Sequence, residues 1–139
     1  MSFQEKSAIA MTGALVIVYG TYFAVVGSWL ATAPPDEIVY QPLMVIAIIP
    51  LVILAAVSHI VIALMNPKEA NAYDERDRLI ALRGERIGGY VLAVVVFVGL
   101  VLAIGEFHHF YIANGLLLGW VLAEITDNAS KVVLYRRRV

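Results

Sequence analysis

Apolar positions in this chain run in four long stretches, and polar residues are confined to short blocks between them. The stretches free of Asp, Glu, Lys and Arg are 7–35, 38–67, 87–105 and 107–123. A helix that crosses a membrane needs about 20 mostly apolar residues, within roughly 17–25, so each stretch is long enough for one span. The pattern predicts spans at 8–30, 43–65, 87–104 and 107–126, a loop at 66–86 and a tail at 127–139. The expected fold is all-α: a single-domain polytopic membrane protein built as a four-transmembrane-helix bundle. Breakers fall where this reading needs them. Pro34 and Pro35 end the first span, because proline has no N–H to continue a helix. Asn66-Pro67 stops the second, and Gly105-Glu106 forms the turn after the third. Pro50 lies inside the second span, which predicts a kink that frees the Ile46 carbonyl.

Composition narrows the function classes. Of the 139 residues, 61% are hydrophobic and 15% charged, against about 45–50% and about 25% in a soluble domain. A soluble enzyme, a nucleic-acid-binding domain and a disordered chain are excluded on this ground, so no direct nucleic-acid partner is expected. The chain has no cysteine, which removes disulfides, thiolate chemistry and iron–sulfur clusters. Ala31-Thr32-Ala33 resembles a signal-peptidase site, but the apolar run before it is too long for a signal peptide, so the first span is expected to stay uncleaved.

Charge supplies an orientation. All ten Lys and Arg residues fall on one side of the predicted spans: Lys6 before the first, five in the 66–86 loop and four in the tail. The opposite loops carry Asp36, Glu37 and Glu106 and no basic residue. By the positive-inside rule both termini are expected in the cytoplasm, and the chain in a bacterial or archaeal inner membrane. Trp29, Tyr40, Phe107, Phe110 and Tyr111 would form an outer aromatic belt, with Tyr90 and Tyr135 anchoring the inner face.

The loop contains the one substantial polar segment. From Asp74 to Arg86 it is expected to be helical, with acidic residues at the positive end of the helix dipole and Asp74 spaced to pair with Arg78. This helix would lie on the membrane surface or run straight into the third span. Its charges suit a solvated face, or a docking surface for a cytoplasmic protein at Asp74, Glu75, Arg76 and Arg78. Lys131, Arg136, Arg137 and Arg138 of the tail are expected to meet anionic lipid headgroups.

Polar residues inside the spans are the candidates for chemistry, since each is costly unless paired. His59 lies 16 positions from Leu43 and Glu124 lies 17 from Phe107, so a constant helical rise puts them at nearly one depth. Ser58, His59, Tyr90, Glu124 and Asp127, with Thr12 nearby, make a candidate polar cluster near the cytoplasmic side. It would serve as a structural hydrogen-bond set, a proton relay or a metal site; no His-x-x-x-His or Glu-x-x-His pair falls within it, so no metal or other cofactor is expected from the spacing. His108 and His109 are expected at the outer surface, pointing about 100° apart as helix neighbours and so not sharing a metal. Small residues recur at Gly115, Gly119 and Ala123, at Gly84 and Gly88, and at Gly99 and Ala103. Such spacing lets helices approach closely, either within the chain or between two copies in a homodimer.

The stretch Tyr73-Asp74-Glu75-Arg76-Asp77-Arg78-Leu79-Ile80, with Tyr135-Arg136-Arg137-Arg138 at the end, resembles a family of small four-span prokaryotic membrane proteins without an assigned activity. An Asp-Glu-Arg box in the central cytoplasmic loop and a Tyr-Arg-Arg tail characterise it. The chain differs in its Gly84-Glu85-Arg86 approach to the third span and in its third terminal arginine. The resemblance implies the four-span topology, and the family's gene neighbourhoods, with small regulators, imply a partner-binding role. The expected function is therefore a non-enzymatic interaction or sensory module working through the cytoplasmic loop and tail. The alternative is a small homo-oligomeric transporter or channel.

Overall fold

The computed structural model describes residues 3–50, 52–53 and 75–136, and it is all-helical, with no strand among them. Helix α1 spans Phe3–Leu30. A single 3₁₀ turn at Pro35–Glu37 leads into α2, described over Gln41–Pro50. Helix α3 spans Glu75–Ile104 and α4 spans His109–Arg136. Two stretches are long and apolar enough to cross a membrane: Ala8–Leu30 and the whole of α3. Helix α4 is more dilute in apolar residues, because His109, Asn114, Gly115, Gly119 and Glu124 interrupt it.

Helix α4 is central and uses two faces. Phe110, Asn114, Leu117 and Val121, spaced i, i+4, i+7 and i+11, are buried toward α1. Leu15, Tyr19, Tyr22 and Val26 of α1 meet them, and Ile38, Tyr40 and Ala47 complete this cluster from the connecting turn and α2. The regular 3–4 spacing on both helices is the coiled-coil-like seam that lets side chains interlock along a pair. Tyr19 Oη donates to the Ala47 carbonyl at 3.2 Å, tying α1 to α2 one residue past Ile46, whose carbonyl lacks its usual helical donor because residue 50 is proline.

The other face of α4 meets α3 by a different principle. The buried residues of α3 are Ile80 and three glycines, Gly84, Gly88 and Gly99. A Cβ at Gly88 would lie 3.0 Å from the Ala123 carbonyl and 2.9 Å from the Asp127 Cβ; at Gly99 it would meet Leu116. Gly119 answers from α4, where a Cβ would overlap the Val95 side chain. Removing side chains lets the two backbones close together, so dispersion contacts form along the whole seam. These glycines thus serve packing within the chain. Gly115 differs: a Cβ there would meet nothing within 4 Å.

The large apolar residues of α3 point outward instead. Val94, Phe97 and Ile104 are exposed at 63%, 67% and 82%. The helix is therefore small inside and greasy outside.

One expectation narrows and another changes. Of the two courses open to the helix before the third span, it takes the second: the segment from Glu75 forms the first turns of α3, continuous to Ile104. The proposed aromatic belt is split: Trp29, Phe107 and Tyr111 are exposed, whereas Tyr40 and Phe110 are buried. They pack edge to face at 5.2 Å, because the turn at Pro35–Glu37 folds Ile38 and Tyr40 back under the end of α4. Burial pushes the Tyr40 phenol above its usual 10.0.

Candidate functional site

Polar side chains gather at the two ends of the bundle. At the end bearing the connecting turns, α3 closes with two bonds, Glu106 N–H to the Ala103 carbonyl at 3.1 Å and Phe107 N–H to the Leu102 carbonyl at 3.0 Å. This is a Schellman cap, and its left-handed residue is Glu106, at φ 54°, not the adjacent Gly105. His108 then caps α4: its Nδ1 accepts the Phe110 N–H at 3.2 Å. An acceptor Nδ1 places the proton on Nε2, which lies 2.6 Å from Asp36 Oδ1. One imidazole thus starts α4 and fastens the two connecting turns together. Because His108 stands outside the helix, its ring stacks on His109 with centroids 4.1 Å apart; the expected 100° divergence applied to two helical neighbours and does not hold.

At the opposite end, Asp127 Oδ2 accepts from Lys131 Nζ at 2.8 Å. This pair lies on Gly84, where a Cβ would be 2.6 Å from Asp127 Oδ1 and 2.7 Å from Lys131 Cγ. Asp127 Oδ1 is buried and has no hydrogen-bond partner among the described residues. Nearby, Arg136 Nε donates to Glu5 Oε1 at 3.0 Å, joining the last turn of α4 to the first turns of α1. Lys131 and Arg136, expected at lipid headgroups, are thus each paired with a carboxylate within the chain. Arg137 and Arg138 lie outside the described residues.

The proposed polar cluster comes together only in part. Asp127 is drawn into the α3–α4 seam, and Glu124, one turn away, is half-buried. Tyr90 is exposed at 67%; it sits two residues from Gly88, so it projects from the side of α3 that α4 does not cover. Thr12 Oγ1 donates to the Ala8 carbonyl of its own helix at 2.8 Å. Ser58 and His59 lie outside the described residues, as does Asp74. The remaining members of the docking surface, Glu75, Arg76 and Arg78, are all exposed on the first turn of α3. Among the described residues no three His, Asp or Glu side chains converge as metal ligands do.

Sequence reasoning missed the buried link between α1 and α4. Tyr22 Oη donates to Asn114 Oδ1 at 2.8 Å, and Asn114 Nδ2 donates to the Phe110 carbonyl at 2.9 Å. A signal existed, since Leu15, Tyr19, Tyr22 and Val26 form a heptad-like stripe whose two tyrosines carry the only polar atoms. The Glu5–Arg136 and Asp36–His108 pairs left no comparable sign. No family model, curated protein or solved structure matches this chain.

Proposed function

We propose that the chain is a four-span integral membrane protein of a prokaryotic cytoplasmic membrane, with both termini and the 66–86 loop in the cytoplasm. It acts as an interaction or sensory module through the charged cytoplasmic turns of α3 and the tail. The observation that carries this reading is the construction of α3. Its interior is a glycine seam, its outer surface is Val, Leu, Ile and Phe, and its first turns are exposed charges on the same unbroken helix. In water the exposed apolar side chains would cost heavily, at about 25 cal/mol per Å². In lipid they cost nothing, and close backbone packing at small residues is the force that assembles helices. The ten-to-zero distribution of basic residues supports the orientation. The continuity of α3 supports the function, because whatever binds Glu75, Arg76 and Arg78 acts directly on a spanning helix.

Reporter fusions after Glu37 and Glu106 should read periplasmic or external, and a fusion after Val139 should read cytoplasmic. A photo-crosslinking side chain at Arg78 should give a discrete protein adduct in cells, whereas the same group at Phe97 should give lipid alone. An external reading at Val139 would sink the topology. Identical adducts at both positions would sink the interaction module.

A further inference from the structure

Resting on the membrane reading above, we propose that one face of α3 is a binding site for a single anionic phospholipid of the cytoplasmic leaflet. Its phosphate would be held by Arg83 and Arg86, and one acyl chain would end in a groove between α3 and α4.

Three observations converge on one line. First, Arg83 and Arg86 are exposed, and neither has an ion pair among the described residues, unlike Lys131 and Arg136, which Asp127 and Glu5 occupy. Arginine offers planar, forked donors that match a phosphate. Second, Arg83, Ile87, Tyr90 and Val94 stand at i, i+4, i+7 and i+11, one continuous face of the helix. Tyr90, exposed at 67%, lies one turn below Arg86, where an amphipathic ring meets the headgroup boundary. Third, that face leads into an apolar groove of about 150 Å³ bounded by Val94, Val98, Leu102, Ile112 and Gly115. The groove exists because position 115 has no side chain and nothing else fills the space within 4 Å of where its Cβ would be.

The lengths agree with a lipid. From Arg86 to Val98 is twelve residues in the sequence, about 18 Å at the helical rise. Half of a bilayer that is about 40–45 Å thick with its headgroups is about 20–22 Å. With the guanidinium groups at the phosphates, the groove therefore falls near the midplane, where the end of an acyl chain lies. Charge complementarity selects the headgroup: two arginines without an ion pair among the described residues, with Arg76 one further two-turn step along the same face, favour a net-negative lipid over a zwitterionic one.

The full chain would be reconstituted into vesicles of equal phosphatidylglycerol and phosphatidylcholine, extracted in mild detergent, and its retained lipids counted by native mass spectrometry. Wild type should keep one phosphatidylglycerol in clear preference to phosphatidylcholine. Arg83→Gln with Arg86→Gln should lower that preference by about fivefold per arginine, the scale of one basic residue at an anionic surface. Gly115→Leu, which fills the groove from a position with open space, should reduce retention of both lipids. Unchanged lipid counts in both variants would overturn the site. Alkaline extraction of the same vesicles keeps the two readings apart. A wild-type chain that washes off the membrane refutes the embedding itself, whereas one that stays inserted but shows no lipid preference refutes only the lipid site.

Discussion

Tyr22 and Asn114, 92 positions apart in sequence, share a 2.8 Å hydrogen bond in the buried contact between α1 and α4. Among the described residues it is the one side-chain to side-chain bond between the two helices away from their ends, and it fixes which face of α1 meets α4. Interhelical bonds of this kind in membranes average about 0.6 kcal/mol and reach about 1.7. The double-mutant cycle of Tyr22→Phe and Asn114→Leu should give a coupling in that range, read from thermal unfolding in detergent. A coupling of zero would mean that packing alone sets the register.

The glycine seam predicts a contrast between two neighbouring sites. Gly119→Val forces a side chain into Val95 and should destabilise by about 1–3 kcal/mol, the usual cost of overpacking. Gly115→Ala enters open space and should gain up to about 1 kcal/mol from helix propensity. Equal melting temperatures for the two variants would show that α3 does not lie against α4 as described.

Glu106 holds the left-handed position of the Schellman cap, a conformation that costs a non-glycine residue about 1–2 kcal/mol. Glu106→Gly should therefore stabilise the chain, by roughly half that amount once the extra freedom of glycine in the unfolded state is counted. A scan of detergent melting points would reveal a loss instead if the carboxylate were needed in the fold.

His108 combines a helix cap with a link to Asp36. His108→Ala should cost about 1 kcal/mol through the lost cap, whereas His108→Asn, whose side-chain oxygen also caps, should recover most of it. Thermal unfolding of wild type and the two variants at one pH is the measurement, and equal losses for alanine and asparagine would mean that the cap contributes nothing.

Lys131→Met leaves the Asp127 carboxylate without its cation against Gly84. Because both groups retain some exposure, the loss should be about 1–2 kcal/mol, less than for a fully buried pair. Asp127→Asn in the same background should restore part of it. No recovery in the double variant would mean that Lys131 does not act through the charge of Asp127.

Helix ends were legible in the sequence wherever a residue type forbids continuation. Pro34 and Pro35 stop α1 at Leu30, and the Gly105-Glu106 turn closes α3. The glycines at 84, 88, 99 and 119 announced a close contact, but spacing alone does not say whether the neighbour is another helix of the chain or a second copy. The identity of the left-handed residue was hidden as well, because a cap can place it one step beyond the glycine that attracts attention. The Asp127–Lys131 pair follows a simple i, i+4 rule, yet its partner on α3 is a glycine, which has no chemistry to signal it. His108 was misplaced for a single reason: whether it belongs to the helix or precedes it changes the direction of its ring completely.

Helix α3 also has a mechanical consequence. Thirty residues without a break make a rod of about 45 Å, and its contacts with α4 at Gly84 and Gly88 lie about a third of the way along. Val95 against Gly119 and Gly99 against Leu116 continue the seam toward the other end, so the rod is held along most of its length. A sideways pull at Arg76 would therefore carry α3 and α4 together as one lever, and Phe97 and Ile104 with them. That movement would reach the rest of the chain through the link between His108 and Asp36.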